Sequence, residues 1–398
     1  MKLFSDIRNI ILIGLIALIL FGVCYKYLEY TSLRSISDLL ASTERQEIGL
    51  IEEHGKLSEK AYELFSKILT DEKTSNEEKL KLFVELEGLA SQTLNNEENY
   101  IKTLESNKQK YEKLSFRTNL LVGKRGSIAK QLLDNQNRYY DNELNSAKDS
   151  YVADTMFSQL ITIFKDNIAL TDYDERAQKT GNDYYAENFI DIASLEKYGR
   201  SDFKFKEEDQ IKKLYPYGYE SLKKYKDYFG SYYAVVKDFV AGDLESAGYK
   251  YSRIQETAAN LNIDFDKFIE EGDDRKKDLA KNTIETVTNK VNAINTFQEE
   301  DLGSYPALPK ISKWKEDLVL CQLYAYKSQF YNLITGKYPE ATNFDELLIQ
   351  LSQVAPKTDD VDRKFDKSVI KFTNNDKEIT FECTDKEDSK TFVFKTPK

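Results

Sequence analysis

Apolar positions recur at helical spacing over most of the chain. One seven-residue pattern covers residues 33–68, and a second run of apolar positions covers residues 83–114. Such a stripe is typical of a helix that packs along one face. A third helix is predicted over residues 128–179, after a break at GKRGS (123–127). Together the three runs predict an antiparallel bundle of long helices.

The pattern changes near the C-terminus, where apolar and polar residues alternate. Three short runs, at residues 368–373, 377–384 and 390–395, have the period of two that is typical of half-buried strands. A helix is predicted over residues 311–335, and Gly336 follows it as a natural C-cap. We therefore expect a helix that covers a small antiparallel β-meander.

This ending resembles the globular head of type IV pilins and pseudopilins. Tyr331, Gly336, Tyr338 and Pro339 carry the likeness, which is confined to about the last fifth of the chain. The resemblance implies a helix, a Gly-x-Tyr-Pro turn, a short helical segment and an antiparallel sheet. The N-terminus has LFSDIRN after Lys2 and no pilin processing motif. The resemblance thus implies a shared module and not membership of a pilus.

Residues 239–258 resemble one tetratricopeptide-repeat hairpin. Gly242 and Asp243 stand at the tight turn, Ala247 at the close helix crossing and Tyr251 one turn later. The first helix lacks the Trp-Leu-Gly pattern, and no second copy follows at the period of the repeat, although stacked repeats need neighbours. An ordinary helical hairpin is the alternative.

The longest apolar run is NIILIGLIALILFGVCY, at residues 9–25. As a helix it would be roughly 26 Å long, close to the hydrocarbon thickness of a bilayer at about 30 Å. Small residues suited to signal cleavage occur only well beyond it, and Val23 stands where a lipoprotein signal needs a small residue before Cys24. We therefore expect a retained anchor in contact with membrane lipid. A cleaved signal, a lipid-attachment site and a buried soluble helix are the alternatives.

Charges on either side of this run indicate its orientation. Lys2 and Arg8 lie close together before it, whereas Lys26 and Arg34 are more thinly spread after it. This bias favours a cytoplasmic N-terminus and an extracytoplasmic body at the cell membrane.

These patterns predict a mainly α fold with a linear order of parts. We expect a cytoplasmic stub and transmembrane helix at residues 1–30 and the long-helix antiparallel bundle at 31–185. A tyrosine-rich domain of shorter helical hairpins follows at 186–302, and a helix with the small antiparallel β-meander at 303–398. Boundaries are placed at AQKTGNDYYAEN (177–188) and at GSYPALPK (303–310). No helix breaker separates the anchor from the bundle, so the first helix is expected to continue out of the membrane.

The 398-residue chain is acidic, with a formal net charge of −11. Phosphate backbones repel such a surface, so nucleic acid is excluded as a partner. The three cysteines form no framework of spaced pairs. Cys321 and Cys383 could form a disulfide in an extracytoplasmic body, but two unrelated thiols are the commoner case and are expected here.

Histidine occurs once, at His54. This excludes catalytic triads that need histidine and zinc sites built on several histidines. His54 falls on the apolar stripe of the first helix, where we expect a tolerated polar core residue; a protonation switch that loosens the bundle is the alternative. The acidic loop at 358–366 is expected to be a solvated linker, with a weak divalent-cation site as the alternative. We predict no catalytic residue, no metal site and no cofactor.

Tyrosine is dense in YPYGYESLKKYKDYFGSYY, at residues 215–233. The later tyrosines of this stretch have helical spacing and are expected to lie in a core. Tyr215, Tyr217 and Tyr219 surround a proline and a glycine before the helix. If their rings are exposed, they could form an aromatic surface that binds a glycan or a partner peptide.

The anchor, the bundle and the lack of catalytic motifs predict a single-pass membrane protein. Its helical extracytoplasmic body would bind another protein as a scaffold. A sensory or ligand-binding ectodomain with an aromatic pocket is one alternative. A carboxylate-based enzyme is another, although no paired acidic motif stands out.

Overall fold

A computed structural model describes six stretches of the chain. They are residues 2–70, 73–180, 196–299, 313–354, 370–384 and 391–397. Within them the description of side chains begins at Leu18. The boundary at 303–310, most of the boundary at 177–188 and the acidic loop at 358–366 lie outside the described residues.

The described residues form ten helices and three strands. The helices are α1 (Lys2–Thr70), α2 (Asn76–Thr118), α3 (Gly123–Thr180), α4 (Glu196–Gly199), α5 (Glu208–Leu214), α6 (Pro216–Val240), α7 (Leu244–Ala259), α8 (Phe265–Glu299), α9 (Lys313–Thr335) and α10 (Phe344–Leu351). The strands are β1 (Ile370–Asn374), β2 (Glu378–Thr384) and β3 (Thr391–Pro397). The prediction of a mainly helical protein with a small C-terminal antiparallel sheet is confirmed.

Over the described part of the chain, no helix combines the length and the hydropathy that a membrane crossing requires. The transmembrane helix stays a prediction.

The chain divides into two compact units, and each unit contains segments of the long helices α1, α2 and α3. The first unit contains Met1–Gly49, Tyr100–Asn145 and Ala280–Lys398. The second unit contains Leu50–Asn99 and Ser146–Leu279.

In the first unit the predicted stripe of α1 is buried. Leu33, Ile36 and Leu40 are at most 4% exposed, as expected for positions that repeat along one face of a helix. Glu47 lies on the same stripe and is 1% exposed. The bundle segment of this unit therefore contains a buried acidic group.

The C-terminal sheet of the first unit packs against α9. Its strands run antiparallel in the order β1-β2-β3, and Phe381 in the central strand pairs with Phe372 and Phe394. Apolar side chains from α9, α10 and the sheet form one core cluster. Gly336 follows α9 with φ +72°, a conformation that glycine adopts without strain. Helix, turn, short helix and sheet follow each other in the order that the sequence implied.

A disulfide joins α9 to β2. Cys321 and Cys383 are 0% and 3% exposed, and their Cα atoms are 6.6 Å apart, a separation that a disulfide can span. The expectation of two unrelated thiols is wrong, because packing of the sheet on α9 brings these two residues together. Cys24 is a free, exposed cysteine.

In the second unit, α6 and α7 form the helical hairpin predicted at 239–258. Gly242 at its turn has φ +81°, and the side chain of Asp243 accepts a hydrogen bond from the N–H of Ser246 in the first turn of α7. Ala247 is buried, as expected at a close helix crossing. Beyond the hairpin, α8 extends over 35 residues, longer than the short helices expected in this region.

Gly230 in α6 allows α4 to approach closely. A Cβ atom at this position would lie 2.7 Å from the backbone carbonyl oxygen of Tyr198. We expect Gly230→Ala to lower the free energy of unfolding by about 1–3 kcal/mol, the usual cost of overpacking. Thermal unfolding followed by circular dichroism measures the change.

Gly248→Ala in α7 is the matched control for this substitution. A Cβ atom there meets no described neighbour within 4 Å, and alanine is favoured over glycine inside a helix by about 1 kcal/mol. The control should therefore be neutral or stabilising. If the two substitutions changed stability equally, the close approach at Gly230 would not matter.

Candidate metal centre

The tyrosines considered for an aromatic surface are mostly buried. Tyr215 and Tyr219 are 3% and 9% exposed and belong to the core of the second unit. Tyr217 is partly buried, and its hydroxyl accepts a hydrogen bond of 2.6 Å from the backbone N–H of Asp264. The start of α8 packs over this turn, where Glu271 accepts a hydrogen bond from the N–H of Tyr217. The three rings therefore do not form one exposed platform.

A different group of side chains meets inside the second unit. His54 on α1, Glu97 on α2 and Asp154 on α3 each contribute one potential ligand atom, and these atoms lie within 4.8 Å of one another. Nδ1 of His54 is 3.9 Å from Oε1 of Glu97. An imidazole nitrogen and two carboxylates are donors that bind divalent metal ions.

This cluster is largely shielded from solvent. The side chain of Glu97 is 7% exposed and that of His54 is 32% exposed, while Asp154 is partly buried. Nδ1 of His54, Oε2 of Glu97 and Oδ2 of Asp154 are buried atoms, and none has a hydrogen-bond partner among the residues that the structure describes. Buried polar atoms are normally paired, so three such atoms in one place need a physical explanation.

Burial raises the pKa of both carboxyl groups in the cluster. Desolvation raises the pKa of Glu97 to about 9; the negative charge of Asp154 adds to this, and a hydrogen bond with Ser150 acts in the opposite direction. Desolvation also raises the pKa of Asp154, whereas the charge of His54 lowers it. The environment therefore favours a positive charge between the two groups, either a proton or a metal ion.

The imidazole ring is held by its own helix. Nε2 of His54 lies 3.3 Å from Oγ of Ser58, about one turn further along α1. With its proton on Nε2, the ring donates to Ser58 and leaves the lone pair of Nδ1 free to face Glu97. An outer hydrogen bond of this kind orients metal-binding histidines in other proteins.

Two of the three residues stand out in the sequence. His54 interrupts the apolar stripe of α1, and Glu97 stands between Thr93 and Tyr100 where heptad spacing calls for an apolar residue. Polar residues on the packing stripes of two helices were the signal that could have indicated a site. Nothing in the spacing of α3 singles out Asp154.

Comparison with protein-family models, with curated proteins and with solved structures finds no match for this chain. The interpretation of the site therefore rests on its own geometry and chemistry.

Proposed function

We propose that the chain is a single-pass membrane protein whose helical extracytoplasmic body is a scaffold for another protein. The observation that carries this proposal is an apolar collar at the described end of the hydrophobic run. Its members, Leu18, Ile19, Leu20, Phe21 and Val23, are 58–71% exposed. Consecutive residues of a helix point in all directions around its axis. An apolar collar exposed on every side is unfavourable in water and is stabilised by lipid.

The turn between α2 and α3 gives independent support for a membrane location. Leu120 and Val122 in this turn are 57% and 71% exposed, and Phe116 in the last turn of α2 is 76% exposed. The hydroxyl of Tyr25, at the end of the apolar run, donates to the carbonyl oxygen of Val122 and accepts from its N–H. Tyrosine is enriched at membrane interfaces. The turn would then lie at the bilayer surface, with its apolar side chains in the interface.

The buried disulfide supports a body outside the cytoplasm. Disulfides such as Cys321–Cys383 form and persist in oxidising compartments and are rare in the cytosol. This agrees with the charge bias around the apolar run.

Helix α7 offers a surface for the protein partner. Leu244 and Tyr251 lie two turns apart on one face of this helix and are 62% and 44% exposed, and Tyr249, on another face, is 65% exposed. Tyrosine is enriched in protein interfaces, where its ring contributes apolar area and its hydroxyl a hydrogen bond. A scaffold would present such a surface to its partner.

Site-specific labelling of the full chain in lipid nanodiscs tests the proposal. A polarity-sensitive fluorophore is attached to Leu120→Cys or Val122→Cys in a Cys24→Ser background. Its emission should be blue-shifted relative to the same fluorophore on Val84→Cys, because the turn would lie among lipid headgroups and acyl chains. Val84 is the control because it is 60% exposed, like the residues of the turn.

Emission at the turn that matches emission at Val84 would contradict the interfacial location. The Val84→Cys variant also reports sidedness, since a membrane-impermeant maleimide should label it on intact cells. Alkaline carbonate washing should leave the full chain in the membrane pellet. Recovery of the intact chain in the supernatant would overturn the proposed anchor.

A further inference from the structure

We propose that His54, Glu97 and Asp154 bind a single divalent transition-metal ion in the core of the second unit. The three side chains come from three helices, and their ligand atoms lie within 4.8 Å of one another. In each side chain one buried polar atom finds no hydrogen-bond partner among the described residues. Zn²⁺ is the probe with which we would test the site.

The separation between two of the ligand atoms can be compared with that in a zinc site. With metal–ligand bonds of about 2.0–2.1 Å and tetrahedral geometry, neighbouring ligand atoms are roughly 3.3 Å apart. The distance from Nδ1 of His54 to Oε1 of Glu97 is 3.9 Å. Because all three ligand atoms lie within 4.8 Å of one another, side-chain rotations can close the site around an ion.

The ligand types indicate the class of metal. Imidazole suits Zn²⁺ and neighbouring transition metals, whereas Mg²⁺ and Ca²⁺ prefer ligand sets made of oxygen alone. Two carboxylates and a neutral imidazole carry two negative charges, which a divalent cation neutralises. The His54 side chain is 32% exposed and gives the ion a route from solvent.

A proton shared between the two carboxyl groups is the competing explanation. It would pair Glu97 with Asp154 but would leave Nδ1 of His54 without a partner. A metal ion would satisfy all three side chains at once, as buried polar atoms require. It would also tie together segments of α1, α2 and α3, so its binding energy would stabilise the folded second unit.

The test uses the full chain in detergent micelles after metals have been removed with a chelator. Calorimetric titration with ZnCl₂ should give one bound Zn²⁺ per chain, and the unfolding temperature should rise with Zn²⁺ but not with Mg²⁺. Glu97→Gln and Asp154→Asn preserve side-chain shape and remove a charged ligand. Each should weaken Zn²⁺ binding by about 100-fold or more, since losing only an outer hydrogen bond to a ligand costs roughly 10–100-fold.

Glu53→Gln is the matched control for these variants. Glu53 precedes His54 on the same helix and is exposed, so the same substitution should leave Zn²⁺ binding unchanged. Ser58→Ala removes the hydrogen bond that orients the imidazole and should weaken binding about tenfold. Circular dichroism of each variant confirms that the helices remain folded.

Binding of Co²⁺ is a second measurement, because the visible absorption of bound Co²⁺ depends on which side chains are its ligands. Bound Co²⁺ should give a visible absorption band that His54→Gln removes. The proposal is wrong if the wild-type chain takes up no Zn²⁺, in which case the carboxyl groups share a proton. It is equally wrong if Glu97→Gln and Asp154→Asn bind Zn²⁺ as tightly as Glu53→Gln, because the ion would then be adventitious.

Discussion

Replacing Cys321 and Cys383 together with alanine is expected to lower the free energy of unfolding of the first unit by about 4 kcal/mol. The disulfide links residues with a sequence separation of 62. A cross-link over a loop of this length removes roughly that much chain entropy from the unfolded state. Both residues belong to the buried cluster between α9 and the sheet, so the lost sulfur atoms also leave a small cavity. Urea unfolding of the full chain in detergent measures the change.

A reducing agent separates the effect of the cross-link from the effect of the cavity. Under reducing conditions the wild-type chain should lose most of the stability by which it exceeds the double variant. The free energy of unfolding of the double variant should not change. Cys24→Ala is the control because Cys24 is a free cysteine. A double variant that unfolds at the same urea concentration as this control would show that the cross-link does not stabilise the unit.

Secondary structure was predictable here because periodicity is a local property of the chain. The stripe that contains Leu33 and Ile36 is buried in the structure, as its spacing predicts. Asn343 caps α10 by accepting a hydrogen bond from the N–H of Glu346, at the three-residue spacing that is typical of a helix start. The alternation of apolar and polar residues placed both ends of all three strands to within two residues.

Contacts between distant residues could not be predicted in the same way. Asp154 meets His54 only because two long helices pack in one particular register, and no short segment encodes that register. The sequence left open whether the ring of Tyr215, beside a proline, is exposed, and in the structure it is buried in the core of the second unit. The division of each long helix between two units is likewise a property of tertiary packing. Candidate chemistry in this protein therefore became visible only once the helices were assembled.

The second large effect on the free energy of unfolding is expected at the buried carboxyl group of Glu47. It accepts hydrogen bonds from Asn107 at 2.9 Å and from the hydroxyl groups of Tyr140 at 2.7 Å and Tyr139 at 3.3 Å. Burial, together with the nearby charge of Glu47, raises the pKa of both tyrosines well above its ordinary value. Both hydroxyl groups therefore keep their protons and remain donors at neutral pH.

Glu47→Ala is expected to lower the free energy of unfolding by about 3–5 kcal/mol. The substitution deprives three buried donors of a shared acceptor, and each unsatisfied buried group costs about 1–3 kcal/mol. Glu47→Gln keeps the volume and one acceptor oxygen, so its effect should be smaller. Urea unfolding of the full chain in detergent measures these differences.

Two controls separate the network of Glu47 from a general effect of charge. Tyr140→Phe removes one donor and leaves the acceptor in place, so it should cost about 1–3 kcal/mol. Asp38→Ala removes an exposed acidic group from the same helix, where a 3.6 Å contact with Arg34 is worth less than about 1 kcal/mol. If Glu47→Ala were as mild as Asp38→Ala, water would have to replace the lost acceptor. The core of this bundle segment would then be open to solvent, contrary to the burial of Glu47, Asn107 and Tyr140.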